Sequence, residues 1–211
     1  MAAGTRSARR GSRTVAPGVG WRAIVCAAIV FAIGLARPAR ADATDDRRAL
    51  VMLRVLAYDN HLRERTGDEV RIVIVYPAGE RGAADSARWT AAFANARKLK
   101  VDGRPIVVAL HRFDTAKLLG EALGDQRTAA VIACDGLIKA IAIAELTALT
   151  RAHKALSFST RETEVVGGIA IGVVRGADRD ELVVNLSAAT AEGVKFDAGL
   201  LQLARTVETP R

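Results

Sequence analysis

The run Val70-Arg71-Ile72-Val73-Ile74-Val75-Tyr76 constrains this chain more than any other stretch. Val70, Ile72, Ile74 and Tyr76 are apolar, and so are Val73 and Val75 between them, with Arg71 the one exception. A strand with one wet face alternates apolar and polar residues, whereas a run apolar on both sides belongs to a strand covered by helices on both faces. One such strand commits the chain to a sheet sandwiched between two helical layers.

The flanking sequence supplies those layers. From Thr44 to about Arg65, the residues Ala49, Met52, Leu53, Leu56 and Ala57 recur at helical spacing, with Asp45 and Asp46 in the first turn, where the helix dipole favours anions. Pro77 to Asp85 reads as a glycine-bearing loop, and Ser86 to Leu99 as a helix with Trp89, Phe93 and Ala96 along one side. Further strands are expected at Pro105–Leu110, Ala129–Cys134 and Leu156–Ser159. Between them lie a helix capped by Asp114 and running to about Leu123, and another over Gly136–Ala152. Strands alternating with single helices argue for parallel pairing through right-handed crossovers, a doubly wound α/β sheet.

The last fifth, Val165 to Val207, changes pattern. Ile169, Ile171 and Val173 alternate with Ala170, Gly172 and Val174, and Leu182, Val184 and Leu186 alternate with Glu181, Val183 and Asn185. Polar residues Arg175 to Asp180 separate them, so an antiparallel hairpin is expected. Ser187 is placed to cap a short helix from Ala188 that Gly193 ends. Asp197 then caps a longer helix, with Phe196 stapling onto Leu201 and with Phe196, Leu200, Leu203 and Val207 as its buried stripe. The expected fold is therefore α/β: a three-layer, mostly parallel doubly wound sheet with a C-terminal antiparallel hairpin and two closing helices.

The first 41 residues are a different kind of object. They carry seven arginines and no acidic residue, then an apolar run from Ala23 to Ala36, then Ala39-Arg40-Ala41. That is a signal peptide's basic region, apolar region and small-x-small cleavage site, so cleavage after Ala41 and a single domain over 42–211 are expected. The apolar run is shorter than the roughly 20 residues a spanning helix needs. Arg9-Arg10 leaves the export route, general or twin-arginine, open. The whole chain has 31 basic and 23 acidic residues, a balance of +8; without the leader's arginines the balance is close to neutral. A nearly neutral domain without a basic, aromatic-interleaved stripe is not built for nucleic acid. Cys26 falls inside the leader, so Cys134 alone remains and no internal disulfide can form.

Gly167-Gly168, Val184-Asn185-Leu186, Ala188-Ala189, Gly193 and Leu200-Leu201-Gln202-Leu203-Ala204-Arg205 stand in an order and spacing that resemble the closing segment of the YfiR-like family of periplasmic regulators. That family's first helix is aromatic-rich and ends at Trp-Pro, whereas this one keeps Tyr58 followed by Asp59-Asn60-His61. The resemblance implies a non-enzymatic, soluble repressor. Its partner would be the periplasmic part of an inner-membrane signalling protein, a diguanylate cyclase, whose cyclic-di-GMP output and biofilm formation it would restrain. A homodimer stays open, and contact with the membrane is peripheral at most.

The residues themselves offer little catalytic apparatus. Cys134 with His111 or His153 would be a nucleophile and base, but Cys134 ends an apolar strand as a small buried residue. His61, His111 and His153 are scattered without ligand spacing, so no metal is expected, and no phosphate-loop glycine pattern or cofactor signature is present. In open parallel sheets, ligands sit beyond the carboxyl ends of the strands. That edge collects Tyr76-Pro77, His111-Arg112, Cys134-Asp135-Gly136 and Thr160-Arg161-Glu162. The candidate ligand or partner residues are Asp135, Arg161, Gly167, Gly168 and Asn185. For Arg161 the plain alternative is pairing with Glu162 or Glu164; for Gly167-Gly168 it is a backbone requirement at the start of a strand. For Asn185 it is satisfying a neighbouring loop. Besides the regulator, two other functions fit an exported α/β domain: a small-ligand-binding component of a transport or sensing system, and a Cys-dependent hydrolase.

Overall fold

In the computed structural model, residue 1 and residues 42–124 and 127–209 are described; the expected leader, Met1 apart, lies outside them. Helix α1 (Ala43–Ala57) is capped by Asp42, whose carboxylate accepts from the Thr44 amide, and is followed by the single turn α2 (Leu62–Arg65). Strand β1 (Val70–Tyr76) leads into α3 (Glu80–Ala96), then β2 (Lys100–Val101) and β3 (Arg104–Arg112). Next come α4 (Ala116–Gly124), β4 (Ala130–Ala133), a 3-10 turn (Leu137–Lys139), α5 (Ile143–Ala152) and β5 (Leu156–Ser159). The chain closes with α6 (Glu162–Val166), β6 (Ile171–Arg175), β7 (Asp180–Asn185), α7 (Leu186–Ala191), α8 (Ala198–Leu203) and β8 (Arg205–Val207).

One sheet runs in the order β2-β3-β1-β4-β5-β6-β7-β8. The segment from β3 to β6 is parallel, and β6–β7 is the expected antiparallel hairpin, with Ile171 opposite Val184. The two-sided apolar run explains the layering. Ile72 and Ile74 share a core with Met52, Leu56, Trp89 and Phe93 from α1 and α3, while Val73 and Val75 share one with Leu119 of α4 and Leu146 of α5. From β1 the chain leaves for β3 through α3 on the first face; from β3 it returns past β1 to β4 through α4 on the second. The direction of winding thus reverses between β1 and β4, and their carboxyl ends diverge there.

Several local expectations are corrected. The helix expected over Thr44–Arg65 breaks at Tyr58–His61, because buried Asp59 takes the amides of His61 (3.0 Å) and Lys195 (3.1 Å) and pairs with Arg65 (2.6 Å). The loop expected over Pro77–Asp85 is helical from Glu80; a Cβ on Gly82 would lie 2.0 Å from the Pro77 carbonyl, so glycine lets that first turn close against β1. Asp114 does not cap α4 but pairs with Arg112 (3.2 Å), and the Thr115 hydroxyl accepts from the Leu118 amide. Gly136–Ala152 is not one helix but a 3-10 turn and then α5.

Others concern the C-terminus. The helix from Asp197 stops at Leu203 and Ala204 is extended, so Leu203 is 72% exposed and Val207 belongs to a strand instead of the helical stripe. Strand β7 has an open outer edge, and pairing Arg205, Thr206 and Val207 with Val183, Val184 and Asn185 satisfies backbone groups that another helical turn would leave bare. At the start of α7 the cap is likewise Asn185, not Ser187: the Asn185 side chain accepts from the Ala188 amide, and the Ser187 hydroxyl donates to Asn185 Oδ1.

Candidate functional site

The reversal between β1 and β4 opens a cleft of about 660 Å³ beyond the carboxyl ends of β4 and β5. Its walls are the first turns of α3, the turn after β4 and the start of α6. Asp85, buried on α3, organises it. One carboxylate oxygen accepts from the Asp135 amide (2.9 Å), the other pairs with Arg88, and Asp85 also bonds the Cys134 side chain. Behind Arg88 stands Asp45 (3.9 Å), whose carboxyl is raised by burial against the pull of Arg88 and Arg48.

On the opposite wall Arg161 Nε donates to Asp135 (3.1 Å) and lies 4.0 Å from Glu164. Glu164 accepts from the Ser159 hydroxyl (2.6 Å), and Ser159 Oγ accepts from the Arg161 amide (2.9 Å). Burial raises the Glu164 carboxyl above its ordinary range, opposed by Ser159 and Arg161. Arg161 therefore pairs with Asp135 and, at the longer distance, with Glu164 as one alternative expected, but not with Glu162, which is taken by Arg205 (2.9 Å).

Of the five residues singled out in the sequence, Asp135 and Arg161 face each other across this cleft. The other three stand behind its wall. Gly167 ends α6, and a Cβ there would come within 2.7 Å of Ile143 Cδ1, so glycine lets α6 pack onto α5. Gly168 has φ +122°, a conformation glycine supplies. Asn185 is fully buried and donates to the Val165 carbonyl (3.0 Å) and Thr209 Oγ1 (2.8 Å), which fulfils the loop-satisfying alternative. Asp85, Arg88, Arg81 and Lys139 went unnoticed, and Glu164 was named only as a partner for Arg161. A helix that follows a strand of a parallel sheet starts at the ligand edge, so placing its start at Glu80 instead of Ser86 would have brought Arg81 and Asp85 there.

Cys134 is 1% exposed, and burial, followed by the charge of Asp85, drives its thiol far above the ordinary cysteine range. A thiol held protonated against a carboxylate lacks the activation a nucleophile needs. Its bonded neighbour is Asp85, not His111 or His153.

A second concavity lies between α1 and the C-terminal elements, about 470 Å³ and floored by Val51, Val55, Leu182 and Leu200. Tyr58 (37% exposed) and Leu203 (72%) stand on its rim. No helix among the described residues is long and apolar enough to cross a membrane.

Among solved structures, the chain is similar to a ligand-free, open substrate-binding protein with adhesive properties from Clostridium difficile, at 12% identity and a TM-score of 0.50 over 71% of this chain and 58% of that one. It is also similar to an ABC domain in complex with L-Trp from Streptococcus pneumoniae, at 11% identity and a TM-score of 0.50, over 72% of this chain and 62% of the other. A conserved domain protein from Vibrio cholerae gives 16% identity and a TM-score of 0.51, over 77% and 59%. At these identities the likeness is one of fold, and the chain spans about three fifths of each structure. No curated protein matches. The YfiR/HmsC-like family model matches residues 48–205, about three quarters of the chain, and takes in the cleft and the apolar groove alike. The chain belongs to the YfiR/HmsC-like family.

Proposed function

We propose that this protein is exported with cleavage after Ala41 and acts without catalysis, binding the periplasmic part of an inner-membrane diguanylate cyclase and so restraining cyclic-di-GMP output and biofilm formation. The observation that carries this reading is the apolar groove between α1 and α8. Its rim exposes Leu203 and Tyr58 over a floor of aliphatic side chains, an arrangement that suits a protein partner better than solvent. Leu203 is exposed, so replacing it by Asp should leave the fold intact. Cyclic-di-GMP measured in cells that co-express this protein with an inner-membrane diguanylate cyclase of the same organism should fall with the wild type and stay high with Leu203→Asp and Tyr58→Ala. Repression undiminished in both variants would reject the groove as the contact. Mass spectrometry of the periplasmic protein should find Asp42 or a near neighbour at the N-terminus.

The polar cleft favours a second reading, a small-ligand-binding component of a transport or sensing system. The substrate-binding protein among its structural neighbours supports that reading at the level of fold. The two functions are compatible, since the cleft and the groove have different lining residues.

A further inference from the structure

We infer that the cleft outside β4 and β5 binds a small molecule with an oxyanion head, a carboxylate or phosphate, and an apolar body. The inference rests on the cleft of the second reading and does not require the cyclase contact.

The charges of the cleft are unevenly used. Arg81, Arg88, Lys139 and Arg161 line it against Asp85, Asp135 and Glu164. All three carboxylates are engaged by the protein itself: Asp85 by Arg88 and the Asp135 amide, Asp135 by Arg161, and Glu164 by Ser159. Arg88 is in turn held between Asp85 and Asp45. Arg81 and Lys139 make no hydrogen bond or ion pair among the described residues. Arg161 spends Nε on Asp135, which leaves the outer nitrogens of its guanidinium for another acceptor. Two unpaired cations and the free side of a third, in a concave site, make an anion's receptor and not a cation's. Burial also favours the protonated form of Glu164, which weakens the one negative charge facing Arg161 from its own helix.

The remaining wall sets the rest of the molecule. Ala84, Ile138 and Ile143 give the cleft an apolar side, so inorganic phosphate alone would leave most of it wet. Its volume of about 660 Å³ falls within the range of about 300–1,000 Å³ usual for small-molecule sites. The location agrees: ligands of open α/β sheets gather where the winding reverses, here between β1 and β4.

The test is calorimetric titration of the mature protein with four probes: phenylacetate, phenyl phosphate, inorganic phosphate and benzyl alcohol. Phenylacetate, phenyl phosphate or both should saturate a single site with a Kd of about 1 mM or tighter, and the preferred one identifies the head group. Inorganic phosphate lacks the body and benzyl alcohol the charge, so each should bind at least about tenfold more weakly. The Arg81→Ala/Lys139→Ala double variant, altered at exposed positions and checked for its fold by near-UV dichroism, should lose about tenfold or more. Lys98→Ala, outside the cleft, should match the wild type. Failure of both aromatic anions to saturate, binding as tight to inorganic phosphate, or unchanged binding in the double variant would overturn the inference. Cyclase repression is read separately: a double variant that no longer binds the probe yet still represses leaves the regulator reading standing, and loss of repression with intact probe binding does the reverse.

Discussion

Raising the pH from about 5 to about 8 should destabilise this protein through one carboxyl group, that of Glu192. The residue closes α7 and is fully buried, with Oε1 accepting from the hydroxyls of Thr150 (2.5 Å) and Ser157 (2.7 Å) and Oε2 from the Ser157 amide (2.8 Å). Burial pushes its pKa up from 4.5 to about 7, with the three hydrogen bonds and Arg151 pulling the other way. Below pH 4.5 the group is protonated in folded and unfolded chains alike. Between 4.5 and 7 the unfolded chain releases the proton first, so folding stability falls as pH rises, and above 7 the full loss persists. At about 1.4 kcal/mol per pH unit the gap is worth about 3 kcal/mol, a large share of the 5–15 typical of a domain.

Trp89 is 4% exposed and is the one tryptophan of residues 42–211, so its fluorescence reports urea unfolding. With a denaturant slope of about 2 kcal/mol per molar, the midpoint should drop by about 1.5 M between pH 5 and pH 8. Asp45 and Glu164, also raised by burial, add in the same direction, and His111, lowered by burial, acts in the opposite one. The quantity to compare is therefore the wild type against Glu192→Gln at each pH. Gln cannot titrate, so the difference between the two should shrink by about 3 kcal/mol from pH 5 to pH 8. Parallel stability profiles for the two proteins would refute the reasoning.

Two further outcomes follow from the packing. Leu200→Ala should cost about 2–5 kcal/mol, because Leu200 is 2% exposed within the larger core, whereas Leu203→Ala should stay within about 0.5 kcal/mol; urea midpoints measured side by side decide it. Asp59→Ala should cost about 3–5 kcal/mol in the same assay, since it strands the buried Arg65 guanidinium and the amides of His61 and Lys195.

What could be read from sequence depended on whether the deciding contact was local. The both-sided apolarity of Val70–Tyr76 records burial on two faces, so the three layers and the parallel sheet were legible, as were the hairpin and the Asp197 cap. The break at Asp59 was not, because its partners Lys195 and Phe196 lie more than a hundred residues away. The end of the last helix failed for the same reason: Leu200 and Leu203 share a helical spacing, but the free edge of β7 draws the chain into β8 two residues after Leu203. Asp135 and Arg161 could be placed at the candidate cleft because strand ends mark the ligand edge. Arg81 and Asp85 were missed because a glycine at position 82 looked like a loop, when its role is to let a helix start against Pro77, and Lys139 because the 3-10 turn after β4 read as part of a longer helix.

Asn185 separates two structural roles that its burial alone does not. As a helix cap it accepts from the Ala188 amide, and Asp would serve that purpose equally well. As an anchor it donates to the Val165 carbonyl at the end of α6 and to Thr209, which a carboxylate cannot do. If capping dominates, Asn185→Ala should cost about 1 kcal/mol and Asn185→Asp almost nothing. If anchoring dominates, Asn185→Asp should be the worse of the two, costing about 3 kcal/mol or more, because it sets a buried charge against the Val165 carbonyl. The geometry favours the anchor: the residue is fully buried, and the carbonyl it holds belongs to the helix that carries Glu164 into the cleft. Urea unfolding of the two variants at pH 7 therefore should rank Asp below Ala. An Asp variant within about 0.5 kcal/mol of the wild type would reduce Asn185 to a cap and leave α6 held by the glycine contact with Ile143 and the pairing of Arg205 with Glu162.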